Sequence, residues 1–408
     1  MSDSRKKLFV GLYLLLTCAP ALAGIAQVCS KRDSSPDLFE LYYKWNGGYE
    51  DYLHGDLSEI LVRADKGDSR AKAVVAKRIL NNENASVSVA DALLYLKSAK
   101  RAGDPLALYF SGMLERKGHL LKQDLAEAHL DFQKAADLDY VPAKASVAAD
   151  YMLGAGVEVD FAKARSYAQA ALDDGYIGAA QLLGVIYSKG LGVPQDQAKG
   201  FEFSRKAASI GDPAAQFDVA RALVFGEGVS ADSDAAYQYA QQAYCSGLKL
   251  AGMVLGKIEL AKHSTEGTAA AIEFYSELSE IGNFDADLVL SDIYLDPTFG
   301  KQDVNAAMSY LSKATEAGST EGKYRWGAAL LRYGRSNSDY RLAEKLLLES
   351  AESGDTRAQY DLGVGYARGV ELAQDTAKAR SWFERAASAG NEQAKAALVE
   401  MQQESKKK

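Results

Sequence analysis

Gly190 and Gly192, in the stretch "YSKGLGVPQD", have the glycine density of a loop whose backbone amides cradle a phosphate. Such a loop ends Gly-Lys-Ser/Thr and follows a strand. Here the glycines are followed by Pro194, Gln195 and Asp196, and an alanine- and leucine-rich helical pattern precedes them. The four histidines, His54, His119, His129 and His263, contain no HExxH and stand at no metal-ligand spacing. No G-x-S-x-G elbow marks a nucleophile. The carboxylates are spread along the chain as on a solvated face. These residues predict no cofactor, no metal and no enzymatic activity.

The elements around the glycines explain them better. Gly67, Gly103, Asp139, Gly175, Gly211 and Gly247 stand 36 residues apart, Gly282 follows after 35, and Gly318, Gly354 and Gly390 resume the step. Nine repeats therefore run between residues 68 and 390. Four residues after each marker stands a small side chain, as at Ala71, Ala107, Ala143, Ala179 and Gly322. Eleven residues before each closing marker stands another, as at Ala92, Ala128, Ala164 and Gly200. Small residues at matching places on two helices let their axes approach closely, as an array of antiparallel helices requires. A bulky residue recurs eight before the marker, as Tyr95, Tyr167, Phe203, Tyr239, Phe274, Tyr310, Leu346 and Trp382. Aromatics in one phase of the first helix, Tyr109, Phe217, Tyr324 and Tyr360, read as core.

Asp124, Asp160, Asp196, Asp232, Asp303, Asp339 and Asp375, with Ser88 and Gly267, sit where each second helix should begin, and all are N-cap types. The closing glycines suit the left-handed position that ends a helix. Each unit thus reads helix A, glycine turn, helix B, short turn.

The pattern A-x3-L-G-x2-Y-x2-G-x-G-V-x2-D-x3-A…A-x3-G resembles the Sel-one-like repeat, a longer-turn relative of the tetratricopeptide repeat. Ala179, Leu183, Gly184, Tyr187, Gly190, Gly192, Val193, Asp196 and Ala207 carry it nearly complete, and the third and ninth repeats match it well. The resemblance covers about residues 55 to 405. It implies an all-α fold, a right-handed α-solenoid of about nine 36-residue helix-turn-helix repeats that holds proteins together. Among exported Gram-negative relatives, one recurrent role is an immunity protein that clamps a phospholipase effector of the type VI secretion system. The alternative is a scaffold or adaptor of an envelope or exopolysaccharide-export complex. A cysteine-rich subgroup linked with β-lactam binding carries a disulfide in every repeat, and this chain lacks those cysteines.

In a solenoid the consensus residues are consumed by packing, so a partner must be recognised by departures from consensus. Residues 24–67 hold the aromatics Phe39, Tyr42, Tyr43, Trp45, Tyr49 and Tyr52, which read as an N-terminal cap over the first helix pair or as an aromatic hot spot for a partner. The turns "KHSTEGTAA", "LDPTFGKQD" and "RYGRSNSDY" of the sixth to eighth repeats lose their glycines, which suggests protruding loops with Phe299, Arg332, Tyr333 and Arg335 as contacts. Glu115 and Glu259 replace the usual helix-A tyrosine and mark either looser joints or acidic contact points. Residues 391–408 read as a capping helix with a basic tail.

At the other end, Arg5, Lys6 and Lys7 precede the apolar "LFVGLYLLLTC" and the small-x-small Ala21-Leu22-Ala23, the pattern of a signal peptide over residues 1–23 and of a periplasmic mature protein. Lipidation at Cys18 is the lesser alternative, because Thr17 fits a lipobox poorly. No later stretch is long and apolar enough to cross a membrane. After cleavage Cys29 and Cys245 remain. They could pair, but the reading favoured by their separation is a buried Cys245 and an exposed Cys29. The net charge of -8 disfavours nucleic acid, which needs a basic stripe.

Overall fold

The computed structural model describes residues 55–81, 87–300 and 302–407, with Cys29, Tyr49 and Tyr52. Phe39, Tyr42, Tyr43 and Trp45, the segment 1–23 expected as a signal peptide and Cys18 lie outside the described residues. Among the described residues there are 20 α-helices and no strands. The chain divides into two compact units, Val28–Val254 and Leu255–Lys408.

In the first unit, α1 (Leu57–Asp65) precedes five helix pairs. They are α2 (Ser69–Leu80) with α3 (Val89–Arg101), α4 (Pro105–Lys117) with α5 (Leu125–Asp137), α6 (Val141–Leu153) with α7 (Phe161–Asp173), α8 (Ala179–Lys189) with α9 (Gln197–Ala208), and α10 (Pro213–Phe225) with α11 (Ser233–Cys245). The division into units falls in α12 (Gly252–Leu260), the helix A of the sixth repeat. The second unit continues with α13 (Thr265–Glu280), then α14 (Phe284–Leu295) with α15 (Val304–Glu316), α16 (Thr320–Tyr333) with α17 (Asn337–Glu352), α18 (Thr356–Arg368) with α19 (Thr376–Ser388), and α20 (Glu392–Lys407). Within each unit, successive helices pack side by side, making each an α-solenoid.

The small residues explain this packing. Ala71, Ala107, Ala143, Ala179, Ala215, Ala251, Ala286, Ala358 and Ala394 are all fully buried, and so are Ala92, Ala236, Ala271, Ala307, Ala343 and Ala379. Elsewhere between the paired helices, rings fill the space. Tyr151 stacks on Tyr167 at 6.1 Å, Tyr187 on Phe203 at 5.6 Å and Tyr294 on Tyr310 at 5.8 Å. Tyr109 packs against Phe132 and Tyr140, and Tyr360 against Phe383, as core aromatics.

Asp124, Asp160, Asp196, Asp232, Asp303 and Asp375 each accept a backbone N–H of the first helical turn, as does the Ser88 hydroxyl. Two expected caps are corrected. The N-caps of α13 and α17 are Ser264 and Ser336, three residues before Gly267 and Asp339. A serine hydroxyl there captures the amide, and Asp339 instead accepts from the Ser336 N–H, closing a capping box. Both helices reach 16 residues, so the sixth and eighth turns are short rather than protruding.

All ten markers are left-handed, Asp139 among them at φ 57°. The glycine turn also has a role between repeats. A Cβ on Gly228 (φ 71°) would lie 2.3 Å from the Gln197 carbonyl, at the start of the preceding repeat's helix B, and one on Gly156 would lie 2.0 Å from the Leu125 carbonyl oxygen. The second glycine of G-x-G is therefore where one repeat's turn rests on its neighbour's backbone.

Cys29 and Cys245 form a disulfide, with Cα atoms 5.3 Å apart across 216 residues of sequence, which overturns the expectation of two unpaired thiols. Separation along a solenoid does not measure distance to a segment outside the repeats. Tyr49 and Tyr52 are buried. Their hydroxyls donate to Asp104 at 2.7 Å and Asp68 at 2.9 Å, the N-cap residues of α4 and α2. The segment before the repeats is thus fastened at repeats one, two and five.

Three substitutions test these joints by denaturation. Gly228→Ala is expected to cost more than about 2 kcal/mol, through backbone strain and collision together. Asp139→Gly is expected to gain about 0.5 to 1 kcal/mol, because the Asp139–Lys144 pair it removes is exposed on the aspartate side and worth little. Reduction, or Cys245→Ser, is expected to cost about 2 to 5 kcal/mol by releasing a long loop in the unfolded chain.

Candidate binding sites

The expected contacts in the later repeats come together only in part. Phe299, Arg332 and Tyr333 line one cleft of about 700 Å³ with Asp292, Leu295, Tyr324 and Arg325. The Arg332 guanidinium lies 5.2 Å from the Tyr333 ring centroid, and Gln302 donates to the Tyr333 hydroxyl at 3.4 Å. Beside it, Arg325 spans Asp292 at 2.8 Å and Glu321 at 2.7 Å. Arg335 is exposed but outside this lining, and its backbone N–H is spent on Asp339. Tyr49 and Tyr52 are corrected as contacts, since buried rings hydrogen-bonded to helix caps present no surface.

The second site departs furthest from the repeat. In repeats three and four, helix A presents Tyr151 and Tyr187, and helix B presents a stacked ring, Tyr167 or Phe203. A lysine then lies over the helix-A ring: Lys163 at 4.9 Å from Tyr151 and Lys199 at 3.9 Å from Tyr187. One repeat earlier, the three positions in the same phase hold Glu115, Asp131 and Glu127. Ring, ring and ammonium have become three carboxylates. Lys100, from helix B of the first repeat, reaches all three, with Nζ 3.2 Å from Glu115, 3.2 Å from Glu127 and 2.5 Å from Asp131.

One ammonium does not satisfy three carboxylates. Glu115 Oε2 and Asp131 Oδ1 are buried without a hydrogen-bond partner, and the Asp131 side chain is 0% exposed. Burial pushes the Asp131 carboxyl up to about 6, with Lys100 opposing and Glu115 and Glu127 reinforcing the rise. Burial pulls the Lys100 ammonium down, but Asp131 and Glu115 outweigh it and push it up to about 12.

A cleft opens beside Glu115. Of about 880 Å³, it is lined by Leu93, Leu94, Leu96, Leu108, Leu121 and Leu138, with Lys100, Ser111 and Glu115 as inner polar residues and Lys97, Arg101 and Lys134 exposed. Leu94 and Leu138, 64% and 53% exposed, mark the mouth. Of these polar residues the sequence singled out only Glu115; the gap in the bulky series at Asp131 was the signal that could have found its partner.

No group of three or more His, Cys, Asp or Glu among the described residues is placed to hold a metal. His129 is buried, with Nδ1 3.1 Å from Asp150 Oδ2, and Arg116 holds the other oxygen of Asp150 at 2.6 Å. That pair of contacts ties the second repeat to the third. No helix of the described residues is long and apolar enough to cross a membrane.

Stacked helix pairs with clefts along them define an α-solenoid of helical repeats. The chain belongs to the Sel1 repeat family, whose model matches residues 105–140, 142–176, 178–212, 213–248, 285–319, 320–355 and 356–391. Such repeats are generally protein-interaction scaffolds. The crystal structure of c5321, a protective antigen of uropathogenic Escherichia coli displaying an SLR fold, is 27% identical, with 92% of this chain and 82% of that one covered and a TM-score of 0.68. A Sel1 repeat protein from Oxalobacter formigenes is 24% identical over 89% of this chain and 93% of that one, with a TM-score of 0.39. The immunity protein Pa5087 from Pseudomonas aeruginosa is 21% identical over 52% and 81%, with a TM-score of 0.34. No curated protein matches the chain.

The raised Asp131 carboxyl makes stability depend on pH. Its folded value of about 6 exceeds the ordinary 3.8, so the folded chain holds a proton that the unfolded chain has lost between those limits. Relative to Asp131→Asn, the native protein is therefore expected to gain stability as pH falls through about 6, approaching about 1.4 kcal/mol per pH unit. Parallel urea titrations of the two proteins at several pH values check it.

Proposed function

We propose that the chain is a non-enzymatic, periplasmic binding protein whose finer role is immunity: it grips and neutralises a phospholipase toxin of the type VI secretion system. The cleft of Phe299, Arg332 and Tyr333 carries the binding part of this reading. Aromatic and arginine side chains gathered around one cleft have the chemistry of an interface hot spot. The Cys29–Cys245 bond supports export, since such bonds persist in oxidising compartments. The immunity role itself rests on the resemblance to exported members of the repeat family and on the acidic net charge of a tolerant inhibitor surface.

The purified chain is expected to bind a phospholipase encoded beside it with nanomolar affinity and to stop its hydrolysis of phospholipid vesicles. Arg332→Ala is expected to weaken that complex at least about tenfold, or about 1.4 kcal/mol, with an unchanged melting temperature, because the side chain is exposed. Absence of binding to every such lipase overturns the immunity role. Co-purification with export components instead identifies a scaffold.

A further inference from the structure

The leucine-lined cleft of the first two repeats has the features of a site built for an occupant. Its leucines continue to the surface at Leu94 and Leu138, so an apolar stem entering there meets hydrocarbon along its length. Its inner polar lining is Lys100, Ser111 and Glu115, with Glu127 and Asp131 held on the same Lys100 ammonium behind it, and Glu115 Oε2 is buried without a partner. A buried carboxylate oxygen without a partner costs free energy that a packed ring pair at the same positions would avoid. A cation delivered to it makes a charge-assisted hydrogen bond in a setting of low dielectric and lowers the excess negative charge.

We propose that this cleft is an anchoring pocket for one basic side chain, lysine or arginine, presented by a protein partner. This rests on the protein-binding reading above. The aliphatic stem lies among Leu93, Leu96, Leu108 and Leu121, and the cationic tip meets Glu115 beside Lys100. At the rim the three cations Lys97, Arg101 and Lys134 outnumber the one carboxylate, Asp137, which favours a partner segment that carries acidic residues next to its basic one. An acyl chain with a carboxylate head is the competing occupant of such a pocket. Its apolar tail would lie against the unpaired Glu115 oxygen and leave that cost in place.

Small amphiphiles read the pocket directly on the disulfide-intact full chain. Hexylammonium and butylguanidinium are expected to bind and to shift the methyl resonances of Leu96 and Leu108, whereas hexanoate is not. Glu115→Gln, which keeps the shape and removes the charge, is expected to weaken the cations at least tenfold. The ring-restoring Glu115→Tyr/Asp131→Phe variant is expected to melt higher than the native protein and to bind neither cation. Glu259→Gln, at the same phase of the sixth repeat, is expected to bind them as the native protein does. Hexanoate binding with the cations silent, or cation binding unchanged in Glu115→Gln, overturns the proposal. Either result leaves the protein-binding reading to its own test at Arg332.

Discussion

The structure depends on how closely helix axes are allowed to approach, and two small-residue positions per repeat set that distance. Ala71 and its counterparts on helix A, and Ala92 and its counterparts on helix B, are buried to the last few square ångströms of surface. Nothing larger fits there without moving a whole helix, because protein interiors are packed to the density of organic crystals. With the contact points fixed, every other position inherits a role. The stacked pairs Tyr151–Tyr167, Tyr187–Phe203 and Tyr294–Tyr310 fill the space left between helix A and helix B of their repeats. The glycine turn then rests on the backbone of the neighbouring repeat, so the spacing of one pair is passed to the next.

This rigidity gives departures from the pattern their meaning, as the two replaced tyrosines illustrate. Glu259 in the sixth repeat keeps the ring across from it: its carboxylate accepts from Lys262 at 2.7 Å, the bulky Phe274 at the facing position stays buried, and the lysine position holds the small Ala270. Glu115 in the second repeat is one of three changes, and the facing position holds Asp131 rather than a ring. The first leaves a packed joint with one polar edge. The second puts charge where the aromatic pair would stand, and a cleft lies beside its Glu115. Equal residues in equal phase thus have different consequences, decided by the residue across the helix pair.

Most of the architecture was legible in the sequence because it is periodic, and periodicity reports packing. The marker spacing, both alanine stripes and six of the seven aspartate caps appear where the phase places them. Asp339 and Gly267 were misread because the phase argument assumes one turn length, while Ser264 and Ser336 offer an earlier cap. The disulfide was missed for a different reason: the segment that carries Cys29 is outside the repeat and has no phase to read. Tyr49 and Tyr52 could not be sorted between cap and surface from type alone. Aromatic side chains serve both, and only their hydrogen bonds to Asp104 and Asp68 decide it.

Whether the cleft in the first two repeats stays open turns on the same alanines. A cavity left in a core ordinarily shrinks as neighbouring elements relax inward, and the depth of that relaxation sets its cost. Here Ala92 and Ala99 on α3, Ala107 on α4, and Ala128 and Ala135 on α5 are already packed to 0% or 1% exposure. The helices cannot draw closer at those points, so the recess beside position 115 cannot be closed by translation. The ionic group around Lys100 fills part of it and holds the rest polar at one end, while the leucines keep the other end apolar. A packing rule that fixes the fold everywhere else therefore keeps a recess open beside the changed side chains of one repeat.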